Sequence, residues 1–499
     1  MTERRVARTV VEAIRLDRWD AAEVLARVDH GVEVGVGGFV LFGGQAGVVA
    51  RVAERARAAA GRDLWVAADL ERGAGQQFRG LCELPPPAAL ARHADPVAAT
   101  RLAAELTARE ALSVGVNWVL APVLDLDVER ENPIVATRSF GADSTMVGTL
   151  GRHWIEACQD AGALACGKHF PGHGRTLADS HIELPVVAAS REELELDLAP
   201  FRAVAEVTGS MMVAHVAYPS VGVDRAATVS REIVTGLLRD ELRFDGLVAT
   251  DAMIMAGVGD DDAVAAVAAM RAGCDVVLYP GDLERTVEAL DEAAGSDEEF
   301  ARRIDQAIVR SERALARFPS SPSREAAGSE TLPGAAIDLA GQVISSTAGA
   351  LEGWRSAVET EVVALADDPE IGPPAGREGP LGAILVATLL EAGWAVRRRV
   401  IDAESDRSAD PRHRSAQRIV VLAATPRGWK GHGGPSPAVV ARVRTELAAA
   451  DAGVLVLLGH RRWLDDLAVP GICAWSTETV MERAAAVWID RRVRGESPS

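Results

Sequence analysis

The densest group of side chains able to do chemistry lies in Gly167-Lys-His-Phe-Pro-Gly-His-Gly-Arg-Thr-Leu-Ala-Asp-Ser-His-Ile-Glu-Leu-Pro185. These nineteen residues hold three of the ten histidines and one of the two lysines in a chain of 499 residues. Asp179 and His181 are two apart, so in an extended loop both project from one side, or the carboxylate folds onto the imidazole. A carboxylate so placed orients the ring and favours its charged form, moving its pKa from ~6.5 towards neutrality, where a general acid/base works best. A structural loop pair would read the same way. His169, His173 and His181 with Asp179 could also hold a metal, imidazoles and carboxylates being usual ligands. Against that, Pro171 and Gly172 keep His169 and His173 off a common helix face and Lys168 would oppose a cation, so we expect no metal.

Asp251 closes the apolar run in Phe244-Asp-Gly-Leu-Val-Ala-Thr-Asp-Ala-Met-Ile-Met255. A carboxylate there is desolvated unless it meets cations or does chemistry, and beyond capping a strand it could attack an anomeric carbon. Asp69 and Arg138 make a charged pair of the kind that grips sugar hydroxyls, the carboxylate accepting and the guanidinium donating in a fixed fork. Either alone would pass for a surface ion pair.

Positioning these groups on one face requires a particular architecture. Short β-rich runs alternate with amphipathic stretches over roughly the first 315 residues. Seven runs stand out: Gly38–Gly43, Leu64–Asp69, Asn117–Pro122, Ala163–His169, Ser210–His215, Gly246–Asp251 and Asp275–Tyr279. In a (β/α)8 barrel Asp69, His169, His215 and Asp251 would converge where strands end, whereas an open doubly wound sheet places its ligand only at a switch point. The expected fold is therefore a TIM-like α/β barrel over residues 1–317, its first or last strand degenerate or missing. A Pro/Ser/Gly-rich linker follows at 318–334. Apolar runs at Val362–Ala366, Ile419–Ala424, Gly453–Gly459 and Gly471–Trp475 then predict a smaller α/β sandwich over 335–499. Gly35-Val-Gly-Gly-Phe precedes its strand, where a dinucleotide fingerprint would follow one, and reads as a tight turn. Trp429-Lys-Gly-His-Gly-Gly434 reads as an exposed turn.

Composition narrows the partners. The formal charge is −19, from 72 acidic and 53 basic residues, so a phosphate backbone meets net repulsion and no nucleic acid is expected. No apolar run is long enough for a membrane span, and the N-terminus mixes charge with apolar residues too often for a signal-peptide core, which predicts a cytoplasmic protein. Five scattered cysteines without a Cys-x-x-Cys pair argue against a disulfide framework. Of the basic residues only Lys168 and Lys430 are lysines, against 51 arginines, which directs attention to places where a compact ammonium is needed.

Lys168-His-Phe-Pro-Gly-His-Gly with Ala178-Asp-Ser-His181 resembles the signature of the bacterial β-N-acetylglucosaminidases of glycoside hydrolase family 3. Ala121-Pro-Val-Leu-Asp125, Asn132-Pro-Ile-Val-Ala-Thr-Arg-Ser-Phe140, Met212-Val-Ala-His-Val216 and Phe244-Asp-Gly to Asp251 resemble that family's other blocks in the same order. The resemblance covers about residues 35 to 280; the rest is similar only in architecture to the sandwich of two-domain members. It implies a retaining double displacement on a small soluble amino-sugar glycoside, with Asp251 as nucleophile and His181, supported by Asp179, as acid/base. Asp69, Arg138, Lys168, His169 and His215 match positions lining the family's sugar subsite. No metal or organic cofactor follows from this chemistry. A loop imidazole in its basic form carries no negative charge, so phosphate is open as an acceptor beside water. The chain departs from the family after Asp69, where Leu-Glu-Arg-Gly-Ala-Gly replaces Gln-Glu-Gly-Gly-Arg-Val. An arginine falls at 72 and alanine at 74, where the family has arginine, and a second Asp is lacking at 252. A β-glucosidase, a phosphorylase and a catalytically silent sugar binder therefore stay open as alternatives.

Overall fold

The computed structural model describes residues 5–178, 180, 182–259, 261–319, 332–366, 380–402, 414–424 and 434–496. Eight parallel strands form a closed barrel: β1 (Val10–Arg15), β2 (Gly38–Phe42), β3 (Trp65–Ala68), β4 (Trp118–Val119), β5 (Leu164–Phe170), β6 (Ser210–Val213), β7 (Leu247–Ala252) and β8 (Val276–Leu278). Each pairs with the next, and β1 closes the ring by setting Val10 against Val277 and Val11 against Leu278. The strand expected to be degenerate or missing is thus present as β1. Its alternation is hidden because Glu12 interrupts the outward-facing Val10 and Ile14, which join the core under the helices, while Val11 and Ala13 fill the barrel interior.

The interior is a packed core rather than a pore. Trp65 and Trp118 meet there with ring centroids 5.2 Å apart. Their indole N–H groups donate to Ser311 Oγ at 2.8 Å and Ser210 Oγ at 2.9 Å, so neither is buried unpaired. Aspartates start many surrounding helices. Asp20, Asp95, Asp143, Asp261, Asp282 and Asp297 each accept a first-turn amide at an N-cap, which places part of the acidic excess at helix starts. Gly35 ends the helix Ala21–Val34 at φ +94°, as the turn reading expects.

A second sheet has the order β11-β10-β12-β13-β14-β9, with β9 (Ser345–Ser346), β10 (Thr360–Ala366), β11 (Val396–Asp402), β12 (Ser415–Ala424), β13 (Ala450–Gly459) and β14 (Gly471–Cys473). All its pairings are parallel except β14 with β9. Residues 320–331, most of the expected linker, and 425–433, most of the Trp429 to Gly434 motif, lie outside the described residues. No helix among the described residues is long and apolar enough to cross a membrane.

The two sheets share packing. Ala88 and Ala89 of the barrel's β3–β4 connection belong to the core of the second sheet, and Leu84, Leu90 and Leu106 pack with Ala336 and Leu339. Ion pairs add to this seam, Arg462 meeting Asp127 and Arg130 meeting Asp466, while His460 lies 3.4 Å from Asp127 as a neutral ring, burial and neighbouring arginines lowering its pKa to about 3.

Candidate active site

At the end of β5 the Lys168 ammonium is buried between two carboxylates, 2.7 Å from Asp69 Oδ1 and 2.7 Å from Glu71 Oε1. Arg138 comes in from the β4–β5 connection and grips Glu71 with both prongs, Nε to Oε2 and Nη2 to Oε1, each at 2.8 Å. The sequence pairs Arg138 with Asp69. Instead its fork is on Glu71, two residues further on and nearly fully buried, while Asp69 is held by Lys168. Burial alone would raise the Glu71 carboxyl, but Arg138 and Lys168 outweigh it and hold that group well below the usual carboxylate range. Burial likewise disfavours the Lys168 charge, and Asp69 and Glu71 more than restore it, leaving its pKa raised.

His169 is oriented by Asp125, whose Oδ2 lies 2.6 Å from Nδ1. Asp125 Oδ1 accepts the backbone N–H of His173 at 2.7 Å, so one buried carboxylate holds a ring and the start of the loop after it. Burial opposes its charge, yet His169 and these hydrogen bonds keep its pKa below the ordinary value. The loop is closely packed: a Cβ at Gly174 would sit 2.0 Å from the Leu126 carbonyl oxygen, so only glycine fits there. Asn132 ties it to the loop bearing Arg138, donating to the His173 carbonyl at 2.9 Å and accepting from Ile134 and Val135 amides. The His173 ring acts as a strut, with Nδ1 2.7 Å from Thr176 Oγ1 and Nε2 3.2 Å from Ser180 Oγ. Burial and the neighbouring His169 lower its pKa to about 4, so it is neutral at physiological pH.

Asp251 stands near the end of β7, half-buried, its Oδ1 accepting the Ala252 amide at 2.8 Å. It lines a cavity of about 540 Å³ together with Asp69, Arg138, Lys168 and His169. Ser180 lines the same cavity, and its carbonyl accepts the Gly257 amide from the loop after β7 at 3.0 Å. Asp179 and His181 themselves lie outside the described residues. His215 departs from expectation: it is fully buried and does not line the cavity. Its Nδ1 is 2.8 Å from Thr228 Oγ1 and its Nε2–H points to the Ala252 carbonyl at 3.2 Å, so it braces the backbone beside Asp251. A groove of about 650 Å³ elsewhere, lined by Glu54, Arg57 and Asp63, carries no strand-end group.

Glu71, Asp125 and Asn132 are the residues that reasoning from reactive types overlooked. Glu71 follows Asp69 at the same-face spacing of two, which is the signal that could have found it. Asp125 and Asn132 sit inside motifs without any local mark of their partners.

The family model for the glycosyl hydrolase family 3 N-terminal domain matches residues 32–314. The chain belongs to glycosyl hydrolase family 3. The match begins after β1, the strand that sequence periodicity also passed over. A β-hexosaminidase of Idiomarina loihiensis is 35% identical over 264 residues, 51% of this chain and 79% of its own length. A β-hexosaminidase of Pseudomonas aeruginosa is 39% identical over 253 residues, 50% of this chain and 76% of its own. Both alignments take in about half of this chain. The structure of a family 3 β-N-acetylglucosaminidase from Paenibacillus sp. str. FPU-7 superposes with a TM-score of 0.82 at 25% identity, covering 98% of this chain and 96% of that one. That solved chain therefore shares the arrangement of barrel and second sheet.

Proposed function

We propose that this family 3 chain is a retaining exo-β-N-acetylglucosaminidase that releases terminal β-linked N-acetylglucosamine from soluble conjugates such as cell-wall fragments, in a cytoplasmic recycling role. The observation that carries it is the single cavity faced by Asp251, Ser180 and a wall of Asp69, Arg138, Lys168 and His169. These wall groups suit sugar hydroxyls, the Arg138 N–H groups left over from its fork on Glu71 and the ammonium donating and Asp69 accepting. Asp251 attacks the anomeric carbon as the bond to the leaving oxygen breaks, and His181 delivers the proton that oxygen needs. Water then attacks the glycosyl ester while His181 takes its proton, and Asp251 is released. Support for this role of His181, and of Asp179 as its carboxylate partner, comes from Ser180, which stands between them in sequence and lines the cavity. The naming of the relatives as β-hexosaminidases supports the amino sugar.

Phosphorolysis is a second reading, favoured by Arg18 in the cavity wall, whose guanidinium would attract an anionic acceptor, while Arg15 beside it is already held by both oxygens of Asp17. It requires sugar 1-phosphate to appear when inorganic phosphate is supplied. Strict hydrolysis in excess phosphate removes it.

The deciding experiment follows nitrophenol release from the 4-nitrophenyl β-glycosides of N-acetylglucosamine and glucose, with Asp251→Asn as control. Cleavage preferring the acetamido sugar, reduced at least about a thousandfold in Asp251→Asn, is the expected result. Preference for the glucoside makes the chain a β-glucosidase. No release from either points to a different glycoside or to a silent sugar binder.

A further inference from the structure

The cavity wall contains one arginine whose position depends on the far end of the chain. Arg72 follows Glu71 in the connection after β3 and lines the cavity. Its Nε lies 2.7 Å from Glu478 Oε1, and among the described residues Glu478 is its side chain's one ionic partner. Glu478 is the N-cap residue of the helix Thr479–Val493 in the second unit, with the extended backbone usual there. Yet its carboxylate makes no cap hydrogen bond. The capping is done from the barrel: Glu83 Oε2 accepts from Thr479 Oγ1 and from the Val480 amide at 3.1 Å. The two glutamates have exchanged tasks across the seam.

Arg72 and Glu83 also belong to one folded loop, since the Leu84 amide donates to the Arg72 carbonyl at 2.9 Å and the Gly75 amide to the Cys82 carbonyl at 2.8 Å. The helix start therefore holds that loop at two points. One fixes its backbone through Glu83, and the other fixes the arginine that faces the cavity. The Glu478 side chain is 3% exposed and that of Arg72 20%, so the pair is largely shielded from water, and burial together with the nearby Glu478 charge raises the Glu83 carboxyl to about 7. Neither Arg72 Nε nor Glu478 Oε2 has a hydrogen-bond partner among the described residues, so Glu478 places the guanidinium by charge at close range and leaves its donors uncommitted to that carboxylate.

We propose that Glu478 is a positioning residue for substrate binding: it sets the guanidinium of Arg72 in the cavity wall to donate to oxygens of the bound glycoside, which makes the helix Thr479–Val493 part of the sugar site. This rests on the reading of the cavity as a glycoside site. Arg72 stands where the loop departs from the family pattern, so the contact is a feature of this chain's own recognition.

The test compares full-length wild type, Glu478→Gln, Arg72→Ala and the double variant. With the 4-nitrophenyl glycoside of N-acetylglucosamine, Glu478→Gln should raise KM about five- to tenfold with kcat nearly kept, as expected when a contact common to ground and transition states is lost. In the Arg72→Ala background the same substitution should add nothing further. Independently of turnover, phenylglyoxal labelling followed by peptide mass mapping should show Arg72 modified several-fold faster in Glu478→Gln, with Arg138 unchanged. Equal KM effects in both backgrounds, or an unchanged labelling rate at Arg72, would overturn the proposal. Faster labelling at Arg138 as well would mean general loosening and would also overturn it. If wild type cleaves neither glycoside, the functional reading fails while the labelling still decides the role of Glu478. Glu478→Asp, which keeps the charge but draws it back, serves the same labelling test should the glutamine variant not fold.

Discussion

Lys168 Nζ and Glu71 Oε1 meet at 2.7 Å with side chains 2% and 3% exposed, so one of two lysines in an arginine-dominated chain fills a slot almost closed to water. Asp69 occupies the other side of that ammonium and Arg138 already grips Glu71, which leaves no room for a second guanidinium. Lys168→Arg keeps the charge but adds volume to a filled site. It should destabilise the protein by about 1–3 kcal/mol and raise KM at least about tenfold. Calorimetry and steady-state kinetics check this; wild-type values in both would show that charge alone matters at this position.

Asp125→Asn removes the charge that holds His169 and offers only one accepting oxygen where the carboxylate offers two. We expect a loss of about 1.5–3 kcal/mol at pH 7, with a fall in kcat/KM as the ring loses its orientation. Because the Asp125 pKa is lowered in the folded state, its contribution is complete above the unfolded carboxylate value and fades as pH falls through the folded one. Denaturation at pH 7 and at pH 3 should therefore show a large difference between variant and wild type at the first and a smaller one at the second. An unchanged gap would mean that Asp125 acts by shape and not by charge.

Glu12 has the opposite sign. Burial, and the nearby charges of Glu284 and Asp282 against the opposing pull of Arg27, raise its pKa to about 7, and Oε2 has no hydrogen-bond partner among the described residues. For an acid raised in the folded state, stability is complete below the unfolded value and is lost as pH climbs through about 7. Glu12→Gln should therefore raise stability at pH 8 by on the order of 2–3 kcal/mol and change little at pH 5. A melting temperature equally shifted at both pH values would contradict a titrating carboxyl here.

His181→Ala should separate substrates by leaving group. Alkyl glycosides, whose departing oxygen needs a proton, should lose about 10²–10⁴ in rate, and activated aryl glycosides far less. Rates measured over a series of leaving-group acidities give the slope; a uniform loss would remove His181 from proton transfer.

Much of the barrel was legible because its strands are apolar on both faces, as strands buried on both sides must be. β1 escaped because Glu12 breaks its outward face, and β11 because Arg397, Arg398 and Arg399 hide the periodicity of a strand at the edge of its sheet. Lys168, His169, Asp69 and Asp251 were visible as reactive types closing such runs, and all line the cavity. The partner of Arg138 was not visible, since Asp69 and Glu71 share a face and the buried ion pair is set by side-chain reach and burial, which the sequence does not mark. His215 shows the converse: a histidine just beyond a strand can turn behind the cavity wall and still serve it.

The exchange of cap between Glu83 and Glu478 bears on how the protein matures as it is made. Glu83 and Thr479 are 396 residues apart in sequence, so the barrel leaves the ribosome long before the helix its carboxylate will cap has been translated. Until then the loop that carries Arg72 lacks both of its anchors. The cavity wall that holds Arg72 is thus among the last parts of the molecule to take its final shape, and a nascent chain with a finished barrel would still be waiting for it.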